Sequence, residues 1–286
     1  MASGNLHPMT GQDALSPSEV AFLVETRGVA KATAPFGITF VLGVVAGAFI
    51  ALGGVFAITI GTGSELGFGP TRWLAGVGFS LGLILVVIAG AELFTGNNLI
   101  VMSTVTGHVR VGRLLANWGV VYLGNMVGAL SVVAMVYVGE WWRGDDLGIG
   151  VTALSTAAVK TSLPFFVVLA RGILANALVC LAVWLAAAGR SVIDKVAAIV
   201  FPISAFVAAG FEHSVANMFF IPMGLALRGH ADVVEAAHLP SAELSTLDGA
   251  GFINNLIAAT IGNVIGGALL VGLVYWFVYV RPARSA

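Results

Sequence analysis

Residues 210–217 read GFEHSVAN, and they interrupt a hydrophobic run that is otherwise long enough to cross a bilayer: IVFPISAFVAA (Ile199 to Ala209) precedes them and MFFIPMGLAL (Met218 to Leu227) follows. Ionisable side chains at membrane depth are costly and are tolerated mainly where they face a protein interior or a watery path. The Glu212–His213 pair therefore marks a functional break in a membrane-crossing segment, and the rest of the chain is organised around it.

The composition supports that setting. Hydrophobic residues make up 58% of the 286 and charged residues only 9%, with a mean hydropathy of +0.99, whereas a soluble domain carries about 25% charged residues. The chain reads as an all-α, multi-pass membrane protein, and its 37 glycines suit helices packed closely through small residues. A net charge of -1 argues against a nucleic-acid partner. The lone Cys180 sits in an apolar run, cannot make an intrachain disulfide and reads as a packing residue. Residues 1–34 are mixed polar with no apolar core before a cleavage site, so no cleavable signal is expected. The sequence contains no GxxxxGK[ST], HExxH, CxxC or serine-nucleophile motif, and His7, His108, His230 and His238 form no ligand spacing. No metal, no cofactor and no enzymatic activity are expected.

Taken in order, Ser16-Pro17-Ser18-Glu19 predicts a capping box with proline at the first helical position, opening a short amphipathic helix in an N-terminal segment, 1–34. Hydrophobic spans follow near 35–61, 71–90 continuing past a break to 106, 114–139, 164–188, 192–227 with its break, and 252–280. Each can cross about 30 Å of hydrocarbon at about 1.5 Å per residue. Six crossings put both termini on one side. Arg27, Lys31, Arg110, Arg113, Arg190, Lys195, Arg281 and Arg284 share that side, against Arg72, Arg143, Lys160 and Arg228 opposite, which predicts cytoplasmic termini. The expected organisation is a cytoplasmic segment 1–34, a six-helix transmembrane channel domain 35–280 and a cytoplasmic tail 281–286.

The two breaks also reveal a repeat. AELFTGN (Ala91 to Asn97) matches FEHSVAN (Phe211 to Asn217), each with glutamate five residues before asparagine. Pro35 is followed by Gly43 and Gly47 at the spacing that separates Pro164 from Gly172 and Asn176, and Asn117/Asn125 recur as Asn255/Asn263. The chain is thus two three-helix halves with helices two and five broken. Three being odd, the halves run in opposite directions, an inverted repeat.

Inverted repeats bring their breaks together near the midplane, where half-helix N-termini attract anions and irregular backbone survives only when buried or lining a cavity. His213 is the one histidine in a span, able either to exchange a proton with a permeant or to serve only structure. Thr95 offers a hydroxyl to a ligand or to His213, or caps a half-helix beginning near Asn97. Glu92 and Glu212 are expected to be structural, accepting backbone amides freed by the breaks, with Asn97 and Asn217 beside them. Asn117, Asn125, Asn255 and Asn263 read as interhelical hydrogen-bonding residues. Phe79, Leu83, Leu93, Phe94 and Phe206 are candidates for apolar constrictions. Lys160 either gathers anions at the outer mouth or is a solvated surface lysine.

ELFTGN from Glu92, NWGVVYLGN from Asn117, GFEHSVANMFFIPMG from Gly210 and NLIAATIGNVIGGALLVGLVYWFVY from Asn255 resemble the formate/nitrite transporter family, and within it the formate channels of bacteria. The resemblance implies an aquaporin-like six-helix protomer, assembled as a homopentamer with a pore through each protomer, in the bacterial inner membrane. The family's central histidine falls on His213, its loop threonine on Thr95, and its constriction residues on Phe79, Leu83, Leu93, Phe94 and Phe206. Its anion-attracting lysine and asparagine fall on Lys160 and Asn176. The function implied is a passive or proton-coupled channel for formate and similar small monovalent anions, surrounded by membrane lipid. The alternatives are a nitrite or hydrosulfide channel on the same scaffold and a neutral-solute pore of aquaporin type, although no NPA triplet occurs.

Overall fold

The computed structural model describes residues 14–285, so most of the first thirty-four residues are included while residues 1–13, with His7, lie outside it. The expected capping box is present. Ser16 Oγ accepts the Glu19 amide and Glu19 Oε2 accepts the Ser16 amide at 2.8 Å, which opens α1, Pro17–Thr33. The Ser16 hydroxyl and amide hold the Glu19 carboxyl below its ordinary value.

The chain continues as α2 (Phe36–Gly61) and α3 (Phe68–Leu85), which runs through a π-helical turn to Gly90. The first break follows, then α4 (Phe94–Asn97), a 3-10 turn (Asn98–Ile100) and α5 (Val101–Val105). Next come α6 (Val111–Val138), α7 (Gly148–Ser162), α8 (Phe165–Ala188) and α9 (Val192–Ala208). Beyond the second break lie α10 (Ser214–Leu227) and two short helices, α11 (Ala231–Ala237) and α12 (Ser241–Thr246). The long C-terminal helix begins as α13 (Gly249–Val264), becomes largely π-helical to Val280 and ends in α14 (Arg281–Ser285). Five of these, α2, α3 with its π turn, α6, α8 and the helix beginning at α13, are long and apolar enough to cross a membrane. The sixth crossing is the broken pair α9 and α10, so helices two and five are interrupted as the sequence predicts.

The helix α7 is the element that hydropathy missed. Its sequence, GIGVTALSTAAVKTS, is short and rich in glycine, serine and threonine, and it reads as a loop between spans three and four. The structure makes it a helix by burying Ile149, Gly150, Ala153, Leu154, Ala157, Ala158 and Thr161, largely against α10. Packing of one face, rather than propensity, stabilises most protein helices. Thr152 and Thr156 return their hydroxyls to the helix's own carbonyls, at 2.9 and 2.7 Å, so they bring no unmatched polar group into the contact. This helix is the counterpart of α1: Lys31 stands four residues before Pro35 and Lys160 four before Pro164. Each inverted half therefore includes a mouth helix ahead of its three membrane-crossing segments.

Small residues set the packing. Helices α2 and α6 approach at Gly43 and Gly124, and α8 and α13 approach at Gly172 and Gly262. One turn further on, Gly128 lies against the Val44 carbonyl and Gly266 against the Ile173 carbonyl. Helices α3 and α9 pack on each other between these pairs, with Gly76 against Ser204. Just before each break the chain turns on a left-handed glycine, Gly90 at φ 85° and Gly210 at φ 73°, a conformation glycine adopts without a Cβ clash.

Gly128→Ala and Gly266→Ala each place a methyl group into backbone, and each should cost about 1–3 kcal/mol. The expected readout is a lowered Tm of the detergent-solubilised protein. Gly37→Ala, whose methyl group would meet nothing beyond its own helix within 4 Å, should not lower it.

Candidate functional site

Each break frees backbone amides at the start of its second half-helix, and the same residue type meets them in both halves. The Phe94 amide donates to Asn125 Oδ1 at 2.9 Å and the Ser214 amide to Asn263 Oδ1 at 2.8 Å. Asn125 Nδ2 in turn donates to the carbonyls of Gly43 (2.8 Å) and Glu92 (2.9 Å), and Asn263 Nδ2 to those of Gly172 (2.8 Å) and Glu212 (2.9 Å). Each asparagine thus ties a broken helix to the neighbouring intact one with three bonds. Unbonded backbone at this depth would be costly.

The glutamates do something else. Glu92 accepts from Lys31 Nζ at 2.8 Å and Asn97 Nδ2 at 2.7 Å, and Glu212 from Lys160 Nζ at 2.9 Å and Asn217 Nδ2 at 2.7 Å. The sequence predicts that they accept the break amides instead. Because Asn125 and Asn263 take those amides, the carboxylates are left to bind the lysines of the two mouth helices. The networks close through Asn117, which accepts from Asn97 at 3.0 Å and donates to the Lys31 carbonyl at 3.1 Å. Asn255 repeats this with Asn217 (2.7 Å) and the Lys160 carbonyl (2.9 Å). Lys160 is 14% exposed, against 33% for Lys31, so it is not a solvated surface lysine.

Between the breaks, His213 Nε2 lies 3.0 Å from Thr95 Oγ1, with both residues buried. His213 Nδ1 accepts the Ala216 amide at 3.0 Å and so caps α10. An acceptor Nδ1 places the proton of the neutral ring on Nε2, where it faces Thr95. The imidazole stacks on Phe206 at 5.9 Å, and Phe206 meets Phe79 edge-on at 5.6 Å. Thr95 lies inside α4, which begins at Phe94, so it does not cap a helix starting near Asn97. Its carbonyl accepts from Asn176 Nδ2 and Cys180 Sγ, each at 3.3 Å.

Two cavities approach this pair from opposite mouths. One, of about 390 Å³, lies beside α1 and is lined by Arg27, Lys31, Glu92, Leu83 and Leu93. The other, of about 350 Å³, lies beside α7 and is lined by Lys160, Glu212, Arg72, Arg171, Phe79, Phe206 and His213. The sequence-predicted apolar residues therefore divide, Leu83 and Leu93 on one side and Phe79 and Phe206 on the other. Phe94 departs from that set. Leu93 is extended, at φ -105° and ψ 125°, which sends consecutive side chains to opposite sides. The Phe94 ring turns away onto Tyr122 (4.9 Å) and Trp118 (6.1 Å), at a lateral groove between α6 and α13. Asn176 lines neither cavity; it lies behind Thr95, donating also to Asn98 Oδ1 (2.8 Å) and the Asn263 carbonyl (2.6 Å). Arg171 is the cavity residue that the sequence reading overlooked. Its signal was a basic residue inside the apolar span 164–188.

Inverted broken helices joining two charged cavities through an apolar neck define a helical membrane channel or transporter. The family profile described as Formate/nitrite transporter matches residues 18–277. The chain is 46% identical over 274 residues to the formate channel FocA of Escherichia coli K12, covering 94% of this chain and 96% of that one. It is 40% identical over 269 residues to the formate channel FocA of Haemophilus influenzae, covering 91% and 93%. A solved structure described as a pentameric formate channel with formate bound matches with a TM-score of 0.78 at 38% identity, over 85% of this chain and 96% of that one. The chain belongs to the formate/nitrite transporter family and is a channel of that family.

The ion pairs predict a stability difference between the mouths. Lys160→Met leaves the Glu212 carboxylate buried without its partner and should cost about 3–5 kcal/mol. Combining it with Glu212→Gln should recover most of that loss, and Lys31→Met, at the more open pair, should cost less. Thermal unfolding of the four proteins in detergent, wild type included, checks the order.

Proposed function

We propose that this protein passes formate and similar small monovalent anions across the bacterial inner membrane, as a homopentamer with one pore per protomer and both termini in the cytoplasm. The observation that carries the reading is the Thr95–His213 pair, set at 3.0 Å between two charged cavities. The names of the relatives support the choice of formate, and the pentameric neighbour supports the assembly. The lysine and arginine bias supports a cytoplasmic side for α1 and the cavity beside it, with 1–34 and 281–286 flanking a channel domain at 35–280.

Formate is ionised at neutral pH, as carboxylates are, and stripping its water in an apolar neck costs several kcal/mol. Leu83 and Leu93 on one side, and Phe79 and Phe206 on the other, are where that water is shed. There the neutral ring's Nε2–H, with the Thr95 hydroxyl beside it, offers the anion a hydrogen bond in place of water. A ring that has taken up a second proton from cavity water at Nδ1, releasing the Ala216 amide, hands one proton to the anion and returns to its neutral form, so that the neutral acid crosses. Channel-like and proton-coupled passage share this geometry. Lys160 draws anions to the outer mouth while Glu212 fixes its position. Glu92, Glu212, Asn97 and Asn217 form the scaffold of the breaks, with Asn176 holding the Thr95 carbonyl. Apolar side chains on the outward faces, such as Leu123 and Phe201, meet lipid or a neighbouring protomer.

Formate flux into proteoliposomes across a pH series, with nitrite and glycerol as competing permeants, tests the reading. Wild type should pass formate with a pH-dependent rate and exclude glycerol. His213→Ala removes a hydrogen bond to a charged group, about 1.5–3 kcal/mol, so flux should fall about ten- to a hundredfold and its pH dependence should disappear. Glycerol passage, or an unchanged pH response in His213→Ala, would overturn the central role of His213.

A further inference from the structure

The cavity beside α7 holds a cation that the scaffold does not use. Lys160 is matched by Glu212 at 2.9 Å. Arg72 donates Nη2 to the Val207 carbonyl at 2.6 Å and Nε to the Ala208 carbonyl at 3.4 Å, which closes the C-terminal end of α9. The third cation, Arg171, makes no side-chain hydrogen bond or ion pair with any described residue, although it lines the cavity with His213 and Phe206. Its backbone is fixed against the second break, because its carbonyl accepts the Glu212 amide at 3.4 Å. Arg72 lies close enough to Arg171 for the two charges to repel each other, and an anion between them relieves that repulsion. The lining carries three cations against one carboxylate, a net of +2, while the cavity beside α1 carries Arg27 and Lys31 against Glu92, a net of +1. Neither the repeat nor the ion-pair network calls for Arg171, whose counterpart in the first half is Leu42.

We propose that Arg171 forms an anion-binding subsite in the vestibule beside α7, and that it holds a planar two-oxygen anion ahead of the Phe79–Phe206 neck. The inference rests on the anion-channel reading above and adds a basis for selectivity. A guanidinium presents parallel N–H groups that match the two oxygens of a carboxylate, whereas an ammonium acts as a point charge. Formate and nitrite offer two oxygens at the right separation; hydrosulfide and chloride offer a single atom. The subsite therefore favours formate and nitrite over hydrosulfide and chloride by exchanging water on their two oxygens for the guanidinium N–H groups, ahead of the full dehydration in the neck. Lys160, engaged with Glu212, contributes charge but not shape.

The test compares wild type, R171L and R171K in proteoliposomes, reading the half-saturation concentration for formate uptake and the chloride concentration that halves it. R171L removes charge and fork, and should raise the formate half-saturation about three- to tenfold. R171K keeps the charge, so its half-saturation should rise less, but chloride should compete several-fold better than in wild type because the fork is gone. Should R171L not elute like wild type in size-exclusion chromatography, R171K carries the test alone: a lost preference for formate over chloride supports the subsite and an unchanged preference overturns it. Identical half-saturation and chloride competition in all three proteins would overturn the inference while leaving the channel reading intact. A wild-type protein that passes no formate would overturn the channel reading itself.

Discussion

Backbone amides cannot be left unbonded at membrane depth, and this constraint governs the structure from the breaks outward. Asn125 and Asn263 meet it, each accepting the first free amide of a half-helix and donating to carbonyls on either side. Those bonds reach their partners only because the intact helices come close, which requires Gly43 opposite Gly124 and Gly172 opposite Gly262. With the amides taken, Glu92 and Glu212 are free to anchor Lys31 and Lys160, and so to seat α1 and α7 over the two mouths. A packing requirement, a polar requirement and the position of the mouth charges are thus one linked arrangement, repeated twice.

The proposed site sits where the repeat fails. In the alignment of the breaks, His213 corresponds to Leu93 and Thr95 to Val215, so each half contributes one polar member of the central pair against an apolar residue of the other. A symmetric pair of histidines would face each other as like groups. The asymmetric pair instead gives one ring with a defined proton position and one hydroxyl that can accept or donate. Gly47 and Asn176 differ in the same way. Gly47 lets α2 press on the Asn125 backbone, whereas Asn176 uses its amide to hold the Thr95 carbonyl. The scaffold follows the pseudo-two-fold axis and the site departs from it.

Much of this was legible in the sequence, because membrane spans announce themselves by length and the breaks by their ionisable residues. The repeat could be read from Glu92/Glu212 and from the paired asparagines, which recur at fixed spacing. What escaped were features set by three-dimensional contact. The helix α7 has neither the length nor the hydropathy of a span, and it forms because α10 covers one of its faces. The partners of Glu92 and Glu212 depended on which group took the break amides first. Phe94 looked like a neck residue from its neighbourhood, but one extended residue before it reverses its direction. Arg171 is visible as a charge within a span, and only the fold brings it into the cavity beside α7.

The proton position of His213 decides what the central pair can do, since a cap through Nδ1 is what turns Nε2–H toward Thr95. Solid-state NMR of ¹⁵N-histidine-labelled protein in lipid, with the His213 signals assigned by difference against His213→Gln, measures it. The expected result is a neutral ring protonated at Nε2, with Nδ1 showing the shift of a hydrogen-bonded acceptor. A ring protonated at Nδ1 would contradict it, because the α10 cap and the donor facing Thr95 would then both be absent.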